Sequence, residues 1–377
     1  MADPRPRVWV SQPLFDDVVA RLDAHCVLTT TTTVTAYTPA QLAAALAPLD
    51  GALVTLNERI GAAEIADAPR LRAIANVGVG YNNLDLDALS AAGIVATNTP
   101  DVLTETTADL GFALLMAAAR RITEAERWLR EGRWGQWSFQ TMLGADLHGS
   151  TLGILGMGRI GQAIARRAAG FSMRVLYHNR RRLPEPLEHA HRAEYVGFDT
   201  LLARADHLLL VLPYSVQSHH IVDATALAKM KPTATLVNIA RGGLVDELAL
   251  ADALAQGRLA AAGLDVFEGE PTVRPELLAL RNVVLTPHIG SASAVTRRAM
   301  VALAVDNLLA ALGIGANAGR PPNALNLDAI ATAVSVDAAS AIVDNKTIGN
   351  LRRSVRSAWQ VPRILLTVRR FFLNFFL

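Results

Sequence analysis

Leu152-Gly153-Ile154-Leu155-Gly156-Met157-Gly158-Arg159-Ile160-Gly161 is the stretch on which the fold of this 377-residue chain turns. A short aliphatic run meets a cluster of glycines and passes directly into a helical pattern. A lone GxGxxG is a weak signal, but inside a strand–turn–helix frame it is specific. Gly156 permits the tight turn, Gly158 lets backbone approach a pyrophosphate, and Gly161 lets helix and strand pack closely. The helix start at Arg159 and Ile160 adds free N–H groups and a positive dipole. A packing turn with no ligand is the competing reading, and the complete frame disfavours it.

Outward from this turn, residues 173–177, 207–212, 234–239, 260–264 and 283–285 read as further strands, with helical patterns between most of them. Upstream, residues 8–10, 26–33, 52–56, 71–77 and 95–97 form an earlier alternation of the same kind. Alternating strands and helices predict parallel sheets covered on both faces. The expected fold is α/β, with two doubly wound parallel-sheet domains. Residues 101–130 carry no strand signal and read as one long helix or a broken pair. Residues 292–312 read as another long helix. Residues 132–147, with Trp134 and Trp137, read as a loop.

Composition narrows the function classes. Apolar residues make up 51% of the chain, enough for a sizeable core. Cys26 is the sole cysteine, so a disulfide scaffold and a cysteine zinc site are excluded. Cys26 itself reads as a small apolar residue in a strand. The nine histidines form no His-x3-His or HExxH pattern, and no metal is expected. His219 and His220 fall on a loop following residues 213–218, and His189 and His191 in a charged surface stretch. The start, MADPRPRVWV, lacks the apolar region of a secretory signal. No run is long and apolar enough for an ordinary spanning helix, and a cytoplasmic protein is expected. Residues 345–377 carry seven basic and no acidic side chains, which leaves residues 1–344 with a net charge of −5. An acidic body gives no support to nucleic-acid binding.

The second strand after the glycine turn bears on the cofactor. An NAD site places a carboxylate about 20 residues beyond the turn, on the ribose hydroxyls. Here the strand ends Tyr177-His178-Asn179-Arg180-Arg181-Arg182, with no acid. Asn179 can bond a ribose oxygen, and Arg180 and Arg181 can pair with a dianionic 2′-phosphate. NADP(H) is therefore the expected preference, with NAD(H) as the lesser option.

Three later strand ends carry Arg241, Glu270 and His288. Ligands of open α/β sheets bind outside the carboxyl ends of strands, so all three fall on the cofactor's side. Reduction of a 2-keto acid needs these types. Arg241 anchors the carboxylate and polarises the keto oxygen. His288 supplies a proton near neutral pH. Glu270 keeps that histidine oriented and protonated.

The sequence resembles the D-isomer-specific 2-hydroxyacid dehydrogenases. The matching stretches are NVGVGYNNL (76–84), NTPDVLTETTADL (98–110), LGILGMGRIG (152–161), VNIARGGLVDE (237–247), GLDVFEGEP (263–271) and TPHIGS (286–291). Within the family, the His-Asn-Arg-Arg-Arg run looks like the glyoxylate/hydroxypyruvate and 2-ketogluconate reductases. The resemblance implies that the family's Arg, Glu and His fall on Arg241, Glu270 and His288. It puts the substrate carboxylate on the backbone amides of Gly78, Val79 and Gly80, and the nicotinamide amide at Asp265 with Thr107 nearby. Pro213, Ser218, Ile239, Ala240 and Gly290 complete the implied cofactor surface, alongside Arg241 and His288.

The resemblance further implies a discontinuous substrate domain, residues 1–100 plus 293–326, of flavodoxin-like type. It likewise implies a Rossmann cofactor domain over 101–292 and homodimers that would form through that domain and the arm around Trp134 and Trp137. The implied reaction is reduction of glyoxylate, hydroxypyruvate or 2-ketogluconate. Phosphoglycerate and formate dehydrogenases on the same frame are less compatible. The first should prefer NAD, and the second carries Gln where Glu270 stands. A nucleotide-sensing corepressor with the same trio is the non-enzymatic alternative. Residues 327–377 depart from the family. A poorly ordered extension is expected there, with contact to anionic membrane through its Arg/Phe mixture as the other reading.

Overall fold

The computed structural model describes residues 3–332. In the first lobe the strands β1 (Arg7–Val10), β2 (Val27–Thr30), β3 (Gly51–Val54), β4 (Ala73–Asn76) and β5 (Val95–Thr97) form one sheet. Its order is β2-β1-β3-β4-β5, with every pairing parallel. In the second lobe a seven-stranded sheet holds β6 (Thr151–Leu155), β7 (Arg174–His178), β8 (Ala193–Tyr195), β9 (His207–Leu210), β10 (Thr235–Asn238), β11 (Ala261–Leu264) and β12 (Val283–Leu285). Its order is β12-β11-β10-β9-β6-β7-β8, again all parallel. Strands β3, β4, β9, β10 and β11 are buried along their whole length. That is why they read as continuous apolar runs rather than alternating ones. In the second sheet the strand order reverses between β6 and β9, which opens a crevice at their carboxyl ends.

Two sequence expectations change and one open reading is resolved. The sheet gains β8, whose Ala-Glu-Tyr has no aliphatic run. It holds the edge beside β7, with Tyr195 edge-on to Tyr177 at 5.3 Å. Cys26 is buried, but it lies just before β2 rather than in it. Residues 101–130 resolve as the broken pair, Thr104–Ala119 and Ile122–Arg130. Arg121 sits between them in the left-handed region at φ 55°, paired with Glu124 at 2.9 Å.

The chain crosses between the lobes twice. Helix Thr104–Ala119 buries Ala108, Phe112 and Leu115 in the core of the second lobe, with Leu152, Ile154 and Ile164. Helix Ala294–Ala311, capped by Ser293, returns to the first lobe. Its Val301, Ala304, Val305 and Leu308 share a core with Val8, Val10 and Leu53. Each buried Val or Leu is worth about 1.5–3 kcal/mol, so this returning helix is a main support of a sheet built from the first hundred residues. Among the described residues, no helix is long and apolar enough to cross a membrane. The tail beyond 332, for which poor order or membrane contact was expected, lies outside the described residues.

Candidate active site

Each polar group of the cleft is positioned by the strand it follows. Asn238, the last residue of β10, turns the chain. Its side chain accepts from Ala240 N–H at 3.0 Å and donates to the Arg241 carbonyl at 2.8 Å. Gly242 then lies flat on the loop after β11, where a Cβ would stand 1.8 Å from the Phe267 carbonyl carbon. No larger residue fits. The turn launches Arg241 towards the first lobe, where its Nε donates to Asn82 Oδ1 at 2.8 Å. One terminal nitrogen donates to the Ala240 carbonyl at 2.7 Å, and the other lies directly against Gly80. Burial draws the guanidinium's pKa down and the Glu270 carboxylate opposes that shift.

Glu270 is gripped from two sides. Phe267 N–H donates to Oε1 at 2.9 Å, and His288 Nδ1 lies 2.7 Å from Oε2. Burial pushes this carboxyl up. The His288 hydrogen bond and charge, the Phe267 amide and Arg241 together outweigh it and leave the pKa below the usual value. With Nδ1 held by Glu270, Nε2 is the ring atom that can carry a proton elsewhere. His288 occupies the left-handed region at φ 51°, a strained position for a side chain of this size. Its N–H bonds the Asp265 carbonyl at 2.9 Å, which fixes that conformation.

Asp265 shows the opposite electrostatics although it follows the same strand. Its carboxylate is buried and accepts from Thr286 Oγ1 at 2.7 Å and from the amides of Ile289 and Gly290, both at 2.8 Å. Burial dominates and raises its pKa. Thr107 meets it here, since a Cβ on Gly290 would stand 3.3 Å from Asp265 Oδ2 and 3.4 Å from Thr107 Cγ2.

The glycine turn after β4 faces this group. Thr99 N–H takes the Gly78 carbonyl at 2.9 Å. Asn98 Nδ2 takes that of Val79 at 2.8 Å, and Asn76 Nδ2 that of Gly80 at 3.0 Å. The Gly78 amide, which the family resemblance implied would face substrate, is used inside the turn, on the Asn76 carbonyl at 3.0 Å. The amides of Val79 and Gly80 have no protein acceptor among the described residues.

The turn after β6 has the geometry a dinucleotide needs. Gly156 lies at φ 105°, where a Cβ would stand 2.7 Å from Leu212 N. A Cβ on Gly161 would stand 2.4 Å from the Gly156 carbonyl oxygen, whereas one on Gly158 would meet nothing within 4 Å. The turn is therefore tight at both ends and open in the middle, where a phosphate would approach. The amides of Gly158, Arg159, Ile160 and Gly161 have no protein acceptor among the described residues. Asn179 Oδ1 braces the turn through Met157 N–H at 2.6 Å. The Arg159 side chain pairs with Asp101 at 2.6 Å, so its contribution to the turn is its backbone.

Of the three arginines after β7, Arg182 is committed to Glu188 at 2.7 Å. The Arg182 hydrogen bond, then that of Tyr177, hold Glu188 down to about 2. Burial, then the Glu188 hydrogen bond, raise Tyr177 to about 12. Arg180 and Arg181 are exposed and form no ion pair among the described residues. Pro213 is exposed after β9, while Ser218 is buried and spends its hydroxyl inside its own turn, on Ser215 and Pro213. Ile239 and Ala240 are buried, Ile239 against Gly111 of helix Thr104–Ala119.

Sequence reasoning missed the asparagine brackets Asn76, Asn98 and Asn238, and the Arg241 partner Asn82. A signal was present: Asn76 and Asn238 are the last residues of their strands and Asn98 follows β5 directly. Beside Asn82 opens a cavity of about 510 Å³, lined in part by Tyr37, Leu42, Asn57 and Arg59.

Comparison with known proteins agrees with this geometry. Residues 112–290 match the family model described as D-isomer specific 2-hydroxyacid dehydrogenase, NAD binding domain. A glyoxylate reductase from Thermococcus onnurineus is 49% identical over 266 residues, 70% of this chain and 79% of the relative. The glyoxylate/hydroxypyruvate reductase B of Pectobacterium atrosepticum is 46% identical over 82% of this chain and 95% of its own length. Among solved structures, an NADPH-dependent glyoxylate/hydroxypyruvate reductase from Sinorhizobium meliloti, in complex with NADP and malonate, superimposes with a TM-score of 0.75. It is 37% identical, over 85% of this chain and 97% of that one. The geometry of the cleft and these likenesses agree, and the chain belongs to the D-isomer specific 2-hydroxyacid dehydrogenase family.

Proposed function

We propose that this protein reduces a small 2-keto acid, glyoxylate or hydroxypyruvate first and 2-ketogluconate next, to the D-2-hydroxy acid, with NADPH as the preferred donor. The observation that carries the reading is the His288–Glu270 pair at 2.7 Å beside an Arg241 that reaches across to the free amides of the first lobe. The amides of Val79 and Gly80 and the Arg241 guanidinium hold the substrate carboxylate. Arg241 also polarises the keto oxygen, and His288 Nε2 delivers the proton that the developing alkoxide needs. Glu270 keeps the ring oriented and its charge compensated. The nicotinamide, when bound, supplies the hydride. Its amide is received at Asp265 and Thr107, and its pyrophosphate by the amides of residues 158–161.

The preference for NADPH rests on Arg180 and Arg181, unpaired at the end of β7 where no acid stands to bind a bare ribose. The Sinorhizobium relative, which is NADPH-dependent, supports it. Two copies pair through the arm of residues 132–145, whose Trp134, Trp137, Phe139 and Leu143 are exposed.

The test is loss of absorbance at the reduced-nicotinamide band with glyoxylate and hydroxypyruvate, run with NADPH and NADH in parallel. Faster oxidation of NADPH supports the proposal, and an NADH preference removes the role of Arg180 and Arg181. His288→Ala should lower turnover about 10²–10⁴-fold with NADPH binding nearly intact. Unchanged turnover would reject the assignment.

A further inference from the structure

On the far side of the Arg241 turn lies a cluster that the proposed reaction does not use. His219 and His220 are neighbours in sequence, and neighbouring side chains in extended backbone point apart. Here His220 sits in the left-handed region at φ 49°. That conformation is costly for a histidine and persists only when its surroundings enforce it. Both imidazoles are brought to one side, with ring centroids 3.8 Å apart. Both face one carboxylate. His220 Nε2 lies 3.1 Å from Glu268 Oε2, and His219 Nε2 lies 3.9 Å from Glu268 Oε1.

We propose that His219 Nε2, His220 Nε2 and the Glu268 carboxylate bind one divalent transition-metal ion, zinc above all. One ligand atom from each residue lies within 4.8 Å of the others. Zinc holds nitrogen and oxygen ligands at about 2.0–2.2 Å, so tetrahedral ligand atoms stand roughly 3.3 Å apart. The two observed separations to Glu268 bracket that value. The supporting contacts are also in place. Tyr214 Oη lies 3.2 Å from His219 Nδ1, the other ring nitrogen, which leaves Nε2 as the ligand. His220 N–H is fixed to the Gly243 carbonyl at 2.8 Å, and Glu268 N–H to buried Glu247 Oε1 at 2.6 Å. Arg274 lies 3.8 Å from Glu268 but also 3.4 Å from Glu247, which keeps its charge compensated when the ion takes Glu268. The ring planes differ by only 22°, so the two Nε2 lone pairs run nearly parallel, and His219, whose side chain is 42% exposed, must rotate its ring out of the stack to converge on the ion. Three protein ligands leave a fourth position for water. The ion ties the loop after β9 to the loop that carries Glu270.

The test is titration of the full, chelator-treated chain with zinc chloride, followed by calorimetry, with cobalt(II) absorption as a second readout. One zinc per chain is expected, with a tetrahedral cobalt spectrum. Affinity should fall about tenfold or more in His219→Ala and in Glu268→Gln. His220→Asn removes the imidazole while keeping a residue type that tolerates positive φ, and should behave alike. His189→Ala, which removes an exposed histidine beside Glu185, should bind zinc as the parent does. Circular dichroism without metal checks that each variant is folded. No stoichiometric zinc in the parent overturns the proposal, and so does unchanged affinity in folded His219→Ala or Glu268→Gln.

Discussion

The glycine turn after β6 opens a twelve-residue helix, Arg159–Gly170, whereas the turn after β4 runs on through Tyr81–Leu84 before a six-residue helix begins at Leu86. Both turns leave backbone amides free for an anion. The first does so because the opening amides of any helix lack intrahelical acceptors, and the helix dipole adds positive potential. The second has no such helix behind it. It removes competing negative charge instead, by tying the Gly78, Val79 and Gly80 carbonyls to Thr99, Asn98 and Asn76, and it places Arg241 opposite. A helix terminus suits a pyrophosphate that spans several amides. A bracketed turn facing an arginine from the other lobe suits a single carboxylate.

Substitutions separate the two designs. In Gly80→Ala the new Cβ would stand 1.8 Å from an Arg241 nitrogen and displace the guanidinium. We expect kcat/KM for the keto acid to fall about a hundredfold or more, with NADPH affinity unchanged by fluorescence titration. An equal loss of NADPH affinity would break the distinction. Gly161→Ala puts a Cβ 2.4 Å from the Gly156 carbonyl, a backbone atom that cannot step aside. It should cost roughly 1–3 kcal/mol of stability by thermal unfolding and weaken NADPH as well. Gly158→Ala meets nothing within 4 Å. Its melting temperature should match the parent, while the KM for NADPH rises about tenfold, because the methyl stands where the pyrophosphate must approach. A drop in melting temperature there would assign Gly158 to packing.

The smallest effect concerns pH. The Glu270 carboxyl titrates below its ordinary value because His288 and its other partners outweigh burial. Its stabilising contribution is complete above the unfolded value of about 4.3 and is lost as pH falls through the lowered folded value. Glu270→Gln should therefore lose less stability than the parent between about pH 5 and pH 3 in thermal unfolding. Parallel curves would show that the pair contributes nothing to the fold.

Much of this molecule could be read before its structure. The buried parallel strands announced themselves as apolar runs, and the glycine turn carried its own chemistry. Arg241, Glu270 and His288 could be placed because strand ends in such sheets converge on one side. What escaped depends on contacts that no local pattern encodes. β8 exists because Tyr177 and Val175 offer an edge to pair with, not because Ala193-Glu194-Tyr195 favours a strand. The bond between Asn82 and Arg241 spans 159 residues, and the one between His220 and Glu268 spans 48. A His-His pair gathered by one left-handed residue onto a distant glutamate leaves no local spacing in the sequence.

The returning helix Ala294–Ala311 has a consequence for how the chain is made. The first lobe is mostly encoded at the start, yet its core lacks Val301, Ala304, Val305 and Leu308 until that helix has been synthesised. The second lobe's sheet is complete once β12 ends at Leu285. A chain that stops after β12 is thus able to close the later-encoded lobe, while its opening hundred residues remain an unfinished sheet with an exposed apolar face. A purified fragment ending near residue 290 should resist protease across the glycine-turn lobe and be cut readily within its own first hundred residues.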